Sequence, residues 1–589
     1  MPSASTSRRV SRRIVAASSR SVGLTDRERT ERERTERVDA IRRALTRPRN
    51  VLTWRARTRS PSSRPSWLGV ARDPIGRSAR RTTARREARR RRRIRKERLS
   101  PFVPARPAIG RRRSPALAPP RARLPYVFLR SLVFDPRSAP VSIANQPSLP
   151  WRHRPFPELV RAAWPIAVSM LSYGVMTLVD TLFVGRLGAS ALAGVGLGGV
   201  SLFFDICFGM GALRGVKVLT SQAVGANKPE LGRTWLGAGA IMMVAIALGS
   251  VAAGMLVASQ IHHVADSAAA AGHAAVYLVI RALATPIVMM FVLVREYRYG
   301  LGDTRSPMVA SVTGNLANIA LDAVFVLGLD MGVAGVALAT ALAQLLELSV
   351  LLVIARKDLS PRMPTRAQLA ELWRIGWPTG LQFQLELGSF ALLTAIVASM
   401  GDVQLAAHQI ALQVLHLSFL PTAALSEAAG MLAGQAVGAG RVRLVRVVAR
   451  YALMGSAAYT GICTIILIVF GRLIASAFTD DPALLSATVS LLWIASLFQV
   501  ADGAAIAARG VLRGVGDVKF PASVGIVAAW VCTPPMAWLL GHEAGLGALG
   551  GWIGLSVEII ACALIFWWRL ERLGWIGHAK RARAQLALA

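Results

Sequence analysis

From residue 163 onward the chain alternates between long apolar runs and short polar breaks. The runs are close to the length, about 20 residues, that an α-helix needs to cross the hydrocarbon core of a bilayer. Twelve are predicted, at 163–185, 193–224, 236–258, 274–295, 307–329 and 333–355, then at 376–399, 404–437, 451–476, 485–508, 521–541 and 546–569. Gly and Pro inside them do not argue against helix, because neighbouring helices re-satisfy the backbone groups they free.

The polar breaks carry the orientation. Even-numbered breaks are basic, with Lys228 and Arg233, Arg298 and Arg305, Arg356, Lys357, Arg362 and Arg366, Arg441, Arg443 and Arg446, and Arg513 and Lys519. Odd-numbered breaks are almost bare, Arg186 and Arg472 excepted. Basic loops stay on the cytoplasmic side, so both termini are expected there, and the basic tail at Lys580, Arg581 and Arg583 agrees.

The pattern is also duplicated. Arg161/Arg374, Pro165/Pro378, Gly188/Gly401 and Leu192/Leu405 share an offset of 213 residues, as do Gln222-Ala223-Val224-Gly225-Ala226 and Gln435-Ala436-Val437-Gly438-Ala439. Gly302-Asp303 with Pro307 returns as Gly516-Asp517 with Pro521, offset by 214. Six spans per copy is an even number, so both copies enter the membrane in the same sense and an axis along the membrane normal should relate them. The predicted fold is therefore an all-α integral membrane protein, twelve transmembrane helices in two six-helix lobes related by a pseudo-two-fold along the membrane normal. The first lobe is expected over 151–355, a linker over 356–375, the second lobe over 376–575 and a basic tail over 576–589.

Composition adds one segment. The chain is 53% hydrophobic with a mean hydropathy of +0.44, yet its formal net charge is +38. Residues 1–150 hold 40 of the 70 Lys and Arg but only 10 of the 32 Asp and Glu. Such a segment buries too little apolar surface to offset chain entropy. It is expected to be a disordered Arg-rich leader or an extension absent from the mature protein. Arg blocks suit nucleic acid or anionic lipid, but only Lys96 among the basic residues is a lysine, which speaks against a selected nucleic-acid arm. Cys207, Cys463, Cys532 and Cys562 lie unpaired in apolar runs and suggest neither a disulfide framework nor zinc. No nucleotide-binding motif, His-rich metal site or Ser-His-Asp set is present, so a carrier driven by an ion gradient is expected, with no enzymatic step and no cofactor.

Six of the acids inside the spans are the candidates for a buried site: Asp180, Asp205, Asp322, Glu386, Glu427 and Asp502. A charge at mid-bilayer costs about 2.5–3.5 kcal/mol on insertion scales, so each asks for a reason. Asn318 and Asp322 are four residues apart and share a helix face. If the first and fifth spans pack together, Asp180, Asn318 and Asp322 form an oxygen-rich cluster that could hold a proton or a hard cation such as sodium. The alternative for Asp180 is simple solvation near the outer interface. Glu386 lies eight residues past the helix-breaking Pro378, and Asp502 three past Gln499. No base in the second half is an evident mate for Glu386, and Arg281 is the clearest mid-span base in the chain. Arg214 and Glu427 stand at the repeat offset of 213 and could pair as an inter-lobe latch. Two alternatives remain: Arg214 and Lys217 snorkel to headgroups, or Asp205 is the mate of Arg214.

Taken in order, Trp164-Pro165 through Asp180 to Gly188, Ser221 to Ala226, Gly302-Asp303-Thr304-Arg305 with Pro307, Ala407-His408-Gln409-Ile410 and Gln435 to Ala439 resemble the MATE (multidrug and toxic compound extrusion) family over about 155–575. The resemblance implies a V-shaped pair of six-helix lobes that exports small, often cationic, compounds in exchange for H+ or Na+. It implies that Asp180, Asn318 and Asp322 match the N-lobe acidic cluster of the DinF-type branch. Glu386, with Pro378, and Asp502 match the C-lobe cation site of the NorM-type branch. The expected setting is the bacterial inner membrane, as a monomer. The alternatives are a lipid-linked oligosaccharide flippase of the same superfamily, whose cavity is expected to be basic, and a membrane-anchored nucleic-acid or lipid binder acting through the leader.

Overall fold

The computed structural model describes residues 149–588 apart from Asp266. The Arg-rich leader expected over 1–150 therefore lies outside the described residues, save its last two positions. Among the described residues, twelve long apolar helices follow one another. The first six are α1 (Pro155–Arg186), α2 (Ala189–Gly225), α3 (Pro229–Gln260), α4 (Ala268–Leu301), α5 (Arg305–Asp322) and α6 (Gly332–Ala355). The second six are α7 (Arg366–Ala398), α8 (Asp402–Gly438), α9 (Val442–Ser476), α10 (Pro482–Gly514), α11 (Lys519–Met536) and α12 (Ala548–Glu571), and α13 (Ile576–Leu588) closes the chain.

Local chemistry sets the helix ends. Pro occupies the first turn of α1, α3 and α10, where its missing N–H costs nothing. Ser267 accepts from the Ala270 N–H at 3.2 Å to start α4. Thr365 and Gln368 form a reciprocal capping box at the start of α7. That cap explains one difference from expectation: α7 begins at Arg366, so the second half of the stretch expected as linker over 356–375 is helix. Gly188 and Gly401 precede α2 and α8 with φ of 107° and 110°, a left-handed conformation that favours glycine. Asp322 and Met536 end α5 and α11, and both helices continue as wider π turns, Ala323–Gly328 and Ala537–Glu543. The latter follows the Pro534-Pro535 pair, which removes two backbone donors.

Packing repeats the duplication. Within the first lobe α2 packs on α3 and α4, α4 on α6, and α5 on α1 and α6. The second lobe repeats each of these contacts, α8 on α9 and α10, α10 on α12, and α11 on α7 and α12. Between the lobes α2 meets α7, α1 meets α8, and α2 crosses α8. The duplicated Gln-Ala-Val-Gly-Ala segments form that crossing: a Cβ on Gly225 would overlap the Gln435 backbone, and one on Gly438 would overlap the Gln222 backbone. Among the described residues, every hydrogen bond and ion pair between the two lobes lies in the half nearer the basic loops. They join Trp151 to Gln435, Arg214 and Lys217 to Glu427, Gln222 to the Gly514 carbonyl and Lys228 to the Leu586 carbonyl. Toward the bare loops, Leu178, Leu182, Val200 and Leu417 on the same helices are exposed. The lobes are thus clamped at one end.

Candidate functional site

The first cluster is built by α1, α4, α5 and α6. Asn318 and Asp322 are fully buried on one face of α5, and Asp180 of α1 brings its carboxyl within hydrogen-bonding reach of the Asp322 carboxyl. Asn318 donates to Thr340 at 3.5 Å, and Thr340 donates to the Val336 carbonyl. No donor among the described residues reaches Asp180 Oδ1, either oxygen of Asp322 or Asn318 Oδ1. Two carboxyl groups out of water and in contact cannot both stay charged and bare. Such a pair can share a proton or hold a cation. Arg281 contributes a nearby positive charge, but its own fork is turned to Gln344 at 2.6 Å. Asp180 is therefore aimed inward at Asp322, not left to solvent at the outer interface.

The second cluster joins α7, α10, α11 and α12. Glu386 accepts from Gln382 at 2.8 Å and pairs with Arg509 at 3.1 Å. This corrects the expectation that Glu386 has no basic mate. Arg509 follows Asp502 by seven residues, two helical turns, so both side chains share one face of α10. That spacing was the available signal, hidden because Arg509 ends an apolar run and reads as a boundary residue. Glu558 on α12, which sequence reasoning missed, is buried, is hydrogen-bonded by Thr533, and faces the same group of charges. Arg513, expected as a loop charge, lies in the last turn of α10 and donates to Gln382 at 3.0 Å.

The third cluster is the clamp. Arg214 and Lys217 of α2 both reach Glu427 of α8 across the lobes. Behind them Glu296 of α4 faces Lys217 at 3.7 Å and is held by Arg295 at 3.1 Å. The pair expected from the repeat offset is present, and Lys217, 6% exposed, does not snorkel. Asp205 is not the mate of Arg214, because it faces Ser250 on α3. Buried charge is also more balanced than the six-acid reading suggested. Arg214, Lys217, Arg281, Arg295, Arg509 and Arg513 all turn inward, and each reaches an acid or an amide.

Known proteins share this plan. The MatE family model matches residues 165–324 and again 378–539, one match per lobe. The "Probable multidrug resistance protein NorM" of Pseudomonas putida is 32% identical over 448 residues, covering 70% of this chain and 95% of that protein. Its namesake in Pseudomonas aeruginosa is 32% identical over 451 residues, covering 70% and 90%. Among solved structures, a multidrug resistance MATE family transporter in an outward-facing conformation superposes with a TM-score of 0.68 at 21% identity, over 72% of this chain and 97% of that one. A MOP superfamily transporter from Pyrococcus furiosus, described as having a binding pocket of reverse polarity, superposes equally well at 20% identity, over 74% and 99%. With two family matches in register with its internal repeat and relatives spanned almost end to end, the chain is a multi-pass membrane protein of the MATE (MatE) family.

Proposed function

We propose that the protein is an antiporter that exports small, amphipathic, often cationic compounds in exchange for H+ or Na+ by alternating access. The observation that carries this reading is the donor-free pair Asp180 and Asp322, with Asn318 beside it. Oxygen ligands without donors suit a proton or a hard cation and nothing larger. Glu386 and Asp502 supply a second acidic set in the other lobe, where an incoming cation competes with Arg509. The clamp at Glu427 closes the end nearer the basic loops, so access to the space between the lobes would be from the other side. By the positive-inside rule the closed end is cytoplasmic, with both termini, and the membrane is the bacterial inner membrane.

The relatives named as multidrug resistance proteins support the choice of cargo. A flippase for an anionic lipid-linked sugar would need bases free to meet it, and here the buried bases are engaged by acids and amides. The test is uptake of a fluorescent lipophilic cation into inverted vesicles with proton and sodium gradients imposed separately. One of the two gradients should drive uptake in the wild type, and Asp322→Asn should slow it. Gradient-independent uptake would reject the antiporter.

A further inference from the structure

Phe383 follows Gln382 on α7 and sits in the seam between the lobes. Arg214 of the first lobe stacks on its ring, the guanidinium carbon 4.5 Å from the centroid, and Arg513 of the second lobe stacks on it at 5.0 Å. Two like charges from opposite lobes thus share one ring, whose π cloud attracts both. Each guanidinium is also held elsewhere. Arg214 is paired with Glu427, and Arg513 donates to the Gln382 Oε1 at 3.0 Å. Gln382 is fully buried, and the other end of its amide, Nε2, donates to Glu386 Oε1 at 2.8 Å. An unbroken run of contacts therefore leads from Glu386 through Gln382, Arg513 and Phe383 to the clamp.

We propose that Gln382, Phe383 and Arg513 are positioning residues that report the occupancy of Glu386 to the Arg214–Glu427 clamp, so that cation loading at Glu386 loosens the closed end. The inference rests on reading Glu386 as a cation site. A charged carboxylate is a strong acceptor, and it fixes Gln382 so that the amide oxygen faces Arg513. A proton or sodium ion on Glu386 weakens that bond and frees the amide to turn. Arg513 then loses its acceptor, and its repulsion of Arg214 across the ring is no longer balanced. The lobes part where Arg214 meets Glu427. This is the order an antiporter needs, because the cation-loaded form must open toward the side where cargo is collected. The other charged groups facing Glu386 are Arg509, Arg513 and Asp502 of α10 and Glu558 of α12, so loading is read as a response of this group with Glu386 at its centre.

The test uses the full chain in nanodiscs with its four cysteines replaced and one new cysteine at Thr379→Cys, a buried position lining the small cavity between Arg214, Glu427 and Arg513. Maleimide alkylation of that cysteine reads the clamp. Carbodiimide modification of Glu386, mapped by peptide mass, reads loading as sodium and pH are varied in turn. In the parent protein, loading should raise the alkylation rate roughly fivefold or more, the lower range of measured site-to-site coupling. In Phe383→Leu and in Arg513→Gln, Glu386 should still respond to the ion while alkylation no longer follows, and Phe383→Tyr should restore the link. Glu386→Gln should be alkylated at the loaded rate without any ion. Alkylation that follows loading in Phe383→Leu and Arg513→Gln as in the parent would overturn the proposal and leave the cation site standing. A Glu386 that responds to neither ion in the parent would overturn both.

Discussion

Glu386 is held by two partners of different kinds, an amide that orients it and a guanidinium that neutralises it. Neutralising the side chain while keeping its shape separates the two roles. Glu386→Gln should reduce exchange to background while detergent-solubilised protein stays monodisperse by size exclusion. Wild-type exchange from that variant would remove Glu386 from the cation site. The site also depends on a residue with no side chain: a Cβ on Gly525 of α11 would overlap Glu386 Oε1 and lie 2.9 Å from Gln382 Nε2. Gly525→Ala should therefore weaken cation affinity about tenfold, the equivalent of about 1.4 kcal/mol, as read by the cation concentration for half-maximal exchange. Asp303, in the break between α4 and α5, makes a different prediction. Burial pushes its carboxyl up, but hydrogen bonds from the Ser306 side chain and backbone N–H and the Arg298 guanidinium outweigh burial and hold it below the usual carboxylate range. A carboxyl lowered on folding contributes stability that is present above its unfolded value of about 3.9 and is lost as pH falls through its folded value. Asp303→Asn should thus lower Tm at pH 7, and the gap to wild type should narrow as the pH approaches 3.

Among the elements, α2 and α8 carry the closure and α13 braces it. Reversing the clamp tests its sign. Arg214→Glu or Glu427→Arg leaves like charges facing each other in a buried seam, where breaking one pair costs about 3–5 kcal/mol. Each single variant should lose most transport, and the double variant should regain a substantial part in the vesicle assay. No regain would mean that the pair does not act as a unit. The tail helix bridges the lobes by another route. Leu586 is buried with the first-lobe core and its carbonyl accepts from Lys228 at 2.8 Å, while Arg581 reaches Glu371 of α7 at 3.7 Å. Truncation before Ile576 should raise the rate at which cysteines at the closed end are alkylated; an unchanged rate would show that the tail is not a brace. The spans, their order and the repeat were readable beforehand because hydrophobic length and the offset of 213 residues are properties of the chain itself. The start of α7 at Arg366 was not, since a polar amphipathic turn projecting from the membrane has the composition of a linker.

For the molecule as a whole, duplication decides which parts of the site could be foreseen. Asp180, Asn318, Asp322, Glu386 and Asp502 stood out as acids and amides inside apolar runs, and Arg214 with Glu427 emerged from the repeat offset. Arg509 and Arg513 did not, because a charge near the end of an apolar run is ordinarily solvated, and only the helix on the far side shows what it meets; Glu558 lies midway along the run 546–569 and was open to the same reading as the other acids. The Phe383 stack between Arg214 and Arg513 needs three elements at once and leaves no trace in spacing. The proposed exchange requires that the two lobes hold either the coupling ion or the cargo, never both. The most direct measurement is equilibrium binding of a fluorescent lipophilic cation to the purified full-length protein, titrated with sodium at fixed pH and with protons in sodium-free buffer. The account predicts that one of these ions weakens cargo binding in proportion to its own concentration, as direct competition requires, and that Glu386→Gln or Asp322→Asn flattens the dependence. Cargo binding that is indifferent to both ions in the wild type would contradict it.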